Sequence, residues 1–324
     1  METLIVTEAD LRACLPIDLA ALVQVENAFS WIEQKRVSMP PVMHIEIDAQ
    51  SDVDTKGAYV SGLDSFAVKI ASGFFRNPER GLPSCSSTIV LLDSETGFCR
   101  CVFLDNGYLM DVRTGLAGAV AAKYLALADV ETVGVIGTGA QARYQVESLA
   151  LVRPFKRLLV HGRNPQKAAD YRSDMASRLG VEAAVADTCE RLVRDSQVVI
   201  TTTPATEPIV LSEWCHPGLH ITAMGSDFGG KQELDPQILT KADILACDTR
   251  DQGRIGGEIQ HLGAQADNMD IVELGALTSG VRSIARADAD LTVCDLTGTG
   301  VQDTAIAVEA YRRVRAAGLG TVVS

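Results

Sequence analysis

The chain has 324 residues, of which 47% are hydrophobic and 22% charged, and its formal net charge is -13 at pH 7. This length exceeds the size at which one hydrophobic core usually stops growing, so two domains are expected. The hydrophobic content argues against a disordered chain, and the acidic balance leaves no basic surface for a nucleic-acid partner.

The N-terminal segment predicts neither export nor membrane insertion. Its first ten residues are acidic and lack the basic and apolar regions of a signal peptide. No stretch approaches the roughly 18 uncharged apolar residues of a spanning helix. The eight cysteines are scattered, and Cys99 and Cys101 would share one strand face as buried thiols, without a second pair for zinc. We therefore expect a reduced cytoplasmic protein with no metal and no membrane partner.

The first 126 residues predict a helix, then strands, then a second helix. Apolar spacing predicts a helix over residues 1–36, and Met39-Pro40-Pro41 breaks the pattern. An alanine- and leucine-rich segment from Asp111 to Ala126 predicts a connecting helix. Between them, short strands separated by turn residues are predicted at Gly57–Val60, Phe66–Ala71, Thr88–Asp93 and Phe98–Leu104.

From Glu131 onward, predicted strands alternate with helices. Helical patterns run from the glycine turn at Gly137 to Leu151 and over Lys167–Leu179, and a last helix, Asp303 to Arg315, could return to the first domain. Short apolar runs predict strands at residues 132–136, 157–160, 198–202, 218–224 and 244–247. This alternation implies right-handed crossovers and a doubly wound parallel sheet, so the predicted fold class is α/β.

The glycine turn carries a dinucleotide signal. Gly137-x-Gly139-x-x-Ala142 follows a strand and opens a helix, which is the context that makes this motif informative. The glycines permit a tight turn and a close approach of the pyrophosphate, and the helix N-terminus supplies N–H groups and partial positive charge. Glycine turns also occur in sheets that bind nothing, but the surrounding alternation favours a cofactor.

The choice between NAD and NADP is open on these residues. The second strand ends in Val160-His161-Gly162-Arg163-Asn164, without the acidic residue that usually accepts from the ribose 2′-hydroxyl. Arg163 could meet a 2′-phosphate, which slightly favours NADP, or it could be a surface arginine that stacks on adenine.

Three charged residues are candidates for chemistry. Lys69 stands at the end of an apolar strand, where it needs an anionic partner such as a ligand carboxylate, unless it lies on an edge strand and reaches solvent. Arg113 starts the connecting helix, where it would face the interdomain cleft and bind a carboxylate bidentately, unless it pairs with Asp111. Asp227 follows an apparent strand, where a carboxylate could exchange a proton with a substrate amine.

The histidines do not predict a metal site. His216 and His220 have i,i+4 spacing, but Pro217 and Gly218 intervene, so both are interpreted as loop residues rather than ligands. His161 and His261 have no chemical context that distinguishes them.

Five motifs spread over nearly the whole chain resemble those of the ornithine cyclodeaminase/mu-crystallin family and occur in the family's order. They are Gly81-Leu82-Pro83-Ser84, Asp111-Val112-Arg113-Thr114, the run from Val135 to Ala142, Ala205-Thr206-Glu207-Pro208-Ile209 and Gly298-x-Gly300-Val301-Gln302-Asp303. The resemblance implies a homodimer whose chain combines a Rossmann domain, placed at residues 119–302, with an α+β substrate-binding and dimerisation domain from both chain ends, residues 1–118 and 303–324. It also implies an NAD(P)-dependent enzyme acting on amino acids or their imines.

The resemblance also assigns roles to single residues. Lys69 and Arg113 match positions that bind the substrate carboxylate. Asp227 matches the cyclodeaminase aspartate that handles the amine, a carboxylate that mu-crystallin lacks. The cofactor contacts that it implies are Ser84, Arg113, Gly137, Thr138, Gly139, Ala140, Gln141, Arg163, Thr202, Thr203, Met224 and Ser226.

Two departures from the family pattern bear on the substrate. After Pro40-Pro41 many members have another carboxylate-binding arginine, whereas this chain has Val42-Met43-His44, so His44 could take that role. Where ornithine cyclodeaminase has an acidic residue, this chain has Thr55-Lys56-Gly57, which disfavours a distal ammonium and makes a second acidic group easier to place. Ornithine is disfavoured on this ground.

The run Tyr59 to Ile70, with Asp105 to Leu109, resembles the ectoine-utilisation subgroup and the iminosuccinate reductases of the family. The expected reaction is therefore hydride transfer from a reduced nicotinamide to the C2 imine carbon of iminosuccinate, giving L-aspartate, with Lys69, Arg113 and Asp227 as the catalytic group. The same resemblance favours NAD, without excluding NADP. The alternatives are a cyclodeaminase or ectoine-degradation enzyme, and a non-enzymatic ligand binder like mu-crystallin.

Overall fold

The computed structural model describes residues 2–48 and 50–324. Contacts divide the chain into two compact units: a terminal unit, Met1–Arg113 with Thr299–Ser324, and a central unit, Thr114–Gly298. The sequence places these boundaries at 118/119 and 302/303. In the structure the first boundary, 113/114, falls inside the helix Tyr108–Leu125, and the second, 298/299, falls just before the helix Gly300–Ala317 begins. The functional assignment of the two domains stays a prediction.

The chain begins with a strand and two helices, followed by a run of strands. In chain order, these elements are β1 (Thr3–Thr7), α1 (Glu8–Cys14), α2 (Leu19–Glu33), β2 (Val37–Ser38), β3 (Met43–Asp48), β4 (Ser51–Val60), β5 (Ser65–Phe74), β6 (Cys85–Asp93), β7 (Cys99–Leu104) and α3 (Tyr108–Leu125).

Strands and helices then alternate through the central unit, and the chain ends with a helix and a strand of the terminal unit. These elements are β8 (Thr132–Ile136), α4 (Ala140–Ala150), β9 (Arg157–His161), α5 (Pro165–Leu179), β10 (Glu182–Val185), α6 (Cys189–Arg194), β11 (Val198–Thr201), β12 (Thr206–Val210), β13 (His220–Ala223), β14 (Gln232–Leu234), α7 (Pro236–Lys241), β15 (Ile244–Cys247), α8 (Arg250–Gly256), β16 (Ile271–Glu273), α9 (Leu274–Thr278), β17 (Thr292–Asp295), α10 (Gly300–Ala317) and β18 (Thr321–Val323).

The central unit is built on a parallel sheet with the strand order β10-β9-β8-β11-β13-β17-β15-β16. Its two faces pack against separate apolar clusters: Val135 belongs to one cluster and its neighbour Ile136 to the other, because successive side chains on a strand alternate. The strand order reverses between β8 and β11, and in such sheets ligands bind beyond the carboxyl ends of the strands at this switch point. The predicted Rossmann-type α/β fold is confirmed.

The terminal unit has a mixed sheet with the order β18-β1-β7-β6-β5-β4-β2, and β3 pairs with β4. Its β1 runs parallel to β7, whereas the neighbouring pairs from β7 to β4 are antiparallel. One face is covered by α10, which packs on β4, β5 and α2. One apolar cluster of this unit consists of small and branched side chains: Ala28, Ala58, Val60, Val301 and Ala305.

Several predicted elements need correction. Residues 1–36 are not one helix, because Leu4 and Val6 alternate with exposed positions and form β1; Thr7 then caps α1 through a capping box with Asp10. His220 is not a loop residue: it begins β13 and is fully buried. Besides β1, the strands missing from the prediction are short or lack an apolar run, and they are β2, β3, β10, β12, β14, β16, β17 and β18.

Over residues 2–48 and 50–324, no helix combines the length and the hydropathy that crossing a membrane requires. The same part of the chain holds no cluster of three or more His, Cys, Asp or Glu side chains that could bind a metal ion. Cys99 is half-buried and Cys101 buried on β7, and both are free thiols.

Candidate functional site

The glycine loop of the central unit has the geometry of a pyrophosphate cradle. Gly137 follows β8 with φ at +122°, a conformation that L-residues with a side chain rarely adopt, and a Cβ there would lie 2.3 Å from Thr202 Oγ1. Gly139 precedes α4, and no side chain caps the helix start. The first N–H groups of α4 therefore remain available to bind a phosphate. These residues fit the group that the sequence predicts.

Arg143 holds this loop in place, a role that the sequence did not reveal. Its Nη1 donates to the carbonyl oxygens of Thr138 at 2.8 Å and Gly139 at 3.0 Å, and its Nε lies 2.9 Å from Asp174 Oδ2. The guanidinium also stacks 4.9 Å from the ring centroid of Tyr171. The loop carbonyls thus point toward the protein, which leaves the N–H groups for a ligand.

The other predicted cofactor residues of the central unit lie at the carboxyl ends of neighbouring strands. Ala140 and Gln141 form the first turn of α4. Thr202 and Thr203 follow β11, and the Thr202 N–H donates to Ile136 O at 3.0 Å. Met224 and Ser226 follow β13 and are buried, and Ser226 Oγ donates to Lys231 O at 2.9 Å.

Two more predicted cofactor residues belong to other segments of the chain. Arg163 is exposed, two residues beyond the end of β9, in the position where an acidic residue would indicate NAD. Ser84 belongs to the terminal unit, is half-buried, and accepts the Phe74 N–H with its carbonyl oxygen at 2.7 Å. Their contacts with a cofactor stay predictions.

Lys69 occupies the middle of β5, not the end of a strand. Because β5 lies between β4 and β6, the alternative of an edge-strand lysine in contact with solvent is wrong. The residue is 1% exposed, and its Nζ lies 2.7 Å from Asp303 Oδ2. Burial, together with the adjacent Arg113 guanidinium, lowers the pKa of Lys69 to about 7.

Arg113 reaches the same carboxylate from α3, where it lies in the second turn rather than at the start. Its Nε is 3.0 Å from Asp303 Oδ1, and its Nη1 donates to Gln302 Oε1 at 3.1 Å. It therefore pairs with Asp303 and not with Asp111. Within residues 2–48 and 50–324, no acceptor is bonded to Nη2, so the N–H groups on one edge of the guanidinium are left for a ligand.

Asp303 is the residue that brings the two cations together, and the sequence showed it only as part of a family motif. It lies in the first turn of α10 and is fully buried. The following residue, Thr304, fixes the helix to the sheet, since its hydroxyl donates to Ala58 O at 2.7 Å and accepts the Ala67 N–H at 3.1 Å. Although burial opposes it, the charges of Arg113 and Lys69 hold the pKa of Asp303 below its usual value.

Two further basic residues share the sheet face of Lys69. Strand pairing places Lys56 directly opposite Lys69, and His44 opposite Asp54, in the adjacent row of the same face. His44 Nδ1 lies 2.7 Å from Asp54 Oδ1, so one ring nitrogen of the histidine is already engaged within the chain. The structure thus groups the basic side chains that the sequence singled out in the terminal unit.

Asp227 lies in the central unit, in the loop after β13. Its side chain is half-exposed, and its Oδ1 is 2.5 Å from Lys231 Nζ. The ion pair lies within one loop and leaves the carboxylate at the carboxyl edge of the sheet, where ligands bind in folds of this class.

The Ornithine cyclodeaminase/mu-crystallin family profile matches residues 1–318. The chain belongs to this family. A Rhizobium meliloti protein described as a dehydrogenase is 43% identical over 98% of this chain and 97% of its own length. Alanine dehydrogenase of Archaeoglobus fulgidus is 34% identical over 100% and 98% of the two chains. Iminosuccinate reductase of Paracoccus denitrificans is 31% identical over 94% of each.

Solved structures of family members share the fold over the whole chain. An archaeal alanine dehydrogenase dimer with bound NAD superposes with a TM-score of 0.92 at 32% identity and covers 100% of this chain and 99% of its own. The Thermococcus litoralis Δ1-pyrroline-2-carboxylate reductase complex with NADH and L-proline superposes with a TM-score of 0.93 at 27% identity and covers 98% of this chain and 99% of its own. The Paracoccus denitrificans iminosuccinate reductase complex with NAD+ superposes with a TM-score of 0.90 at 28% identity and covers 100% of both chains.

Proposed function

We propose that this protein is an NAD(P)-dependent oxidoreductase that reduces the imine of a small anionic amino acid, with iminosuccinate as substrate and L-aspartate as product. The observation that carries the proposal is the buried group of Lys69, Arg113 and Asp303. Two cations share one carboxylate, so the group has an excess positive charge. A substrate carboxylate would neutralise that charge, and buried cations are stable only when they are paired in this way.

The proposed roles follow from the donors that remain. Arg113 can offer its Nη2, and Lys69 can offer the ammonium protons that Asp303 does not accept, to the two oxygens of one carboxylate. Holding the α-carboxylate orients the neighbouring C2 and nitrogen atoms, which is worth a large factor in rate. Bound NADH would supply the hydride that reduces the C2 carbon. Asp227 would provide or organise the proton that the nitrogen takes up.

The second substrate carboxylate is proposed from the sheet face beside Lys69. Lys56 lies opposite Lys69 and adds a second positive charge to this face, and His44, whose Nδ1 is bonded to Asp54, lies in the adjacent row of the same face. A dicarboxylate such as iminosuccinate suits this surface better than a substrate with a distal ammonium, which the lysine would repel. The similarity to iminosuccinate reductase of Paracoccus denitrificans agrees with this choice.

NAD is the proposed cofactor because relatives with bound NAD+ or NADH share the whole fold. The exposed Arg163 and the absence of an acidic residue after β9 leave room for the 2′-phosphate of NADP. We therefore expect measurable activity with both reduced cofactors. Arg163→Ala should raise the KM for NADPH more than the KM for NADH, since only NADPH carries the phosphate.

The test is a spectrophotometric assay of NADH and NADPH consumption with oxaloacetate and ammonia, which form iminosuccinate in solution. Pyruvate or glyoxylate with ammonia, and Δ1-pyrroline-2-carboxylate, serve as alternative substrates, and amino-acid analysis identifies the product.

Rapid oxidation of the cofactor with oxaloacetate and formation of L-aspartate would support the proposal. Alanine or proline as the preferred product would show that the substrate is a different imine, while the proposed reductase activity would stand. Proline and ammonia from ornithine, without net NADH consumption, would indicate a cyclodeaminase. Cofactor binding without turnover would indicate a ligand-binding protein.

We also propose a homodimer formed through the outer face of the terminal sheet. Strand pairing puts Met43, Ile45 and Ile70 on one face, opposite the face of Lys69, and each is about half exposed. A cluster of exposed apolar side chains of this kind is typical of a protein interface. The archaeal alanine dehydrogenase with the same fold is a dimer. The cytoplasmic location stays a prediction from the sequence.

A further inference from the structure

Glu233 is a fully buried carboxylate that receives four hydrogen bonds. Its Oε1 accepts the backbone N–H of Thr203 at 2.5 Å and the Thr203 hydroxyl at 2.8 Å. Its Oε2 accepts the Thr201 hydroxyl at 2.6 Å and the backbone N–H of Gly225 at 2.8 Å. All four partners donate, which is the environment of an ionised carboxylate rather than of a carboxylic acid.

These bonds join the segments that follow two adjacent strands of the central sheet. Thr201 ends β11 and Thr203 lies just beyond it, while Gly225 lies just beyond β13. A Cβ at residue 225 would come within 2.2 Å of Thr203 O, so the two segments touch at the backbone. Glu233 thus fixes the spacing of two loops at the carboxyl edge of the sheet, next to the glycine loop after β8.

Two more buried carboxyl groups support Glu233 in turn. Glu258 accepts the backbone N–H groups of Glu233 at 2.8 Å and Leu234 at 3.1 Å. Asp295, at the end of β17, accepts the N–H groups of Glu258 at 2.9 Å and Ile259 at 3.0 Å. The three residues form a chain of carboxyl groups that runs from β17 to the loops after β11 and β13. Burying three acidic groups costs folding free energy, so we expect this arrangement to have a role besides packing.

In a doubly wound fold the two halves of a dinucleotide bind on the two sides of the switch point. Here the half formed by β8, β9 and β10 would receive the adenosine, because the glycine loop and Arg163 belong to it. The loops after β11 and β13 belong to the other half and would receive the nicotinamide nucleotide. The carboxylate of Glu233 is hydrogen-bonded to Thr201, Thr203 and Gly225, which all belong to the second half.

We propose that Glu233 is a positioning residue for the nicotinamide half of the cofactor, acting through Thr203 and Gly225. The inference rests on the proposed use of a nicotinamide dinucleotide but not on the identity of the substrate. Glu233 does not touch the reacting atoms in this proposal. It holds the two loops at the separation that the nicotinamide nucleotide requires, and it keeps the Thr203 and Gly225 N–H groups turned into the protein.

The experiment compares Glu233→Gln with the native chain by fluorescence titration with NADH and by calorimetric titration with ADP, which represents the adenosine half alone. Glutamine keeps the size but turns an N–H₂ group toward two donors. We expect the Kd for NADH to rise about tenfold, which corresponds to about 1.4 kcal/mol, and the Kd for ADP to stay unchanged. A general loss of structure would raise both Kd values, so a rise for NADH alone distinguishes the proposed role from such a loss.

Two further variants keep the test decisive. Thr201→Val removes one donor to Glu233 without changing the side-chain volume, and we expect a rise of about threefold for NADH alone. His220→Gln is the matched control, because His220 is also buried but bonds to Thr292 and Thr222 at the amino end of β13; it should lower the Tm and leave the ratio of the two Kd values unchanged.

An unchanged Kd for NADH in Glu233→Gln and Thr201→Val would overturn the inference, as would an equal loss of NADH and ADP binding. If the native chain itself bound ADP and NADH no better than a protein without a dinucleotide site, the proposed cofactor would be wrong and the inference would fall with it.

Discussion

Lys69 and Asp303 form a fully buried ion pair, with Nζ and Oδ2 2.7 Å apart, although they come from opposite ends of the chain. Lys69 lies in the middle of a strand and Asp303 in the first turn of a helix that packs on that strand. The pair is therefore a contact between the N-terminal and C-terminal parts of the terminal unit. The stability of that unit therefore depends on the same charged residues that form the proposed substrate site.

Replacement of Asp303 by Asn should destabilise the protein strongly, because it leaves Lys69 and Arg113 buried without a counter-charge. Breaking a buried pair in this way costs about 3 kcal/mol or more. We expect a loss of this size in the free energy of unfolding, measured by urea denaturation. Asp267→Asn, which breaks the exposed pair with Arg254, is the control and should cost less than about 1 kcal/mol. Equal losses in the two variants would contradict the proposed importance of burial.

Replacement of Arg113 by Ala should impair substrate use more than cofactor binding. The side chain is proposed to donate a charge-assisted hydrogen bond to the substrate, and losing such a bond costs about 2 to 3 kcal/mol, or roughly a hundredfold in kcat/KM. Arg113→Lys should recover only part of this, since an ammonium lacks the fixed fork of donors with which the guanidinium reaches Asp303, Gln302 and the substrate at the same time. Steady-state kinetics with a fluorescence-derived Kd for NADH gives both quantities. Native activity in the alanine variant would remove Arg113 from the site.

The sequence predicted the central unit well because its strands are buried on both faces and read as apolar runs. It missed β10, β12, β14, β16 and β17, because no apolar run marked these segments off from their surroundings. The same limit explains the error at residues 3–7, where a five-residue strand directly precedes a capped helix. Apolar alternation over so short a stretch is easily hidden by the helical pattern that follows it.

The candidate site was predictable in its cations but not in the partner that unites them. A lysine in an apolar strand requires an anion; the sequence favoured a ligand carboxylate, and the structure shows that Asp303 is one such partner. That the anion is Asp303 depends on the packing of α10 against β5, which no local pattern contains. Glu233 is a second case: the sequence did not single it out, and the donors to its carboxylate come from the end of β11 and from the segments that follow β11 and β13.

Replacement of Asp227 by Asn should lower kcat while leaving the Kd for NADH nearly unchanged. Asparagine is similar in size but does not exchange a proton, and positioned acid–base groups commonly contribute about a hundredfold or more. The measurement is a single-turnover rate at saturating NADH. Asp251→Asn, another exposed carboxylate of the central unit, should keep the native rate. An unchanged rate in Asp227→Asn would reject the proposed role.

The affinity for an anionic ligand should fall as the pH rises above about 7. The pKa of Lys69 is lowered to about 7, so its ammonium form predominates below that pH and is lost above it. A bound carboxylate favours the ammonium form, so binding above pH 7 takes up a proton and the Kd rises by up to about tenfold per pH unit. Succinate is a suitable ligand for calorimetry, since its own charge is constant above pH 7. Lys69→Arg keeps its charge and should remove the slope; a flat profile in the native chain would contradict the assignment.

A charge on the outer face of the terminal sheet should dissociate the proposed dimer. Ile45 is 49% exposed on this face, and Ile47, which is 53% exposed, follows it on the same strand, β3. Burying two aspartates at that position without partners would cost several kcal/mol, enough to abolish association at micromolar concentration. We expect the double variant Ile45→Asp with Ile47→Asp to have the mass of one chain by light scattering, with its circular dichroism spectrum retained. Val281→Asp places the same charge on an equally apolar side chain of the central unit that is 71% exposed, and it should leave the native mass unchanged. A double variant that keeps the mass of two chains would move the dimer contact away from this sheet.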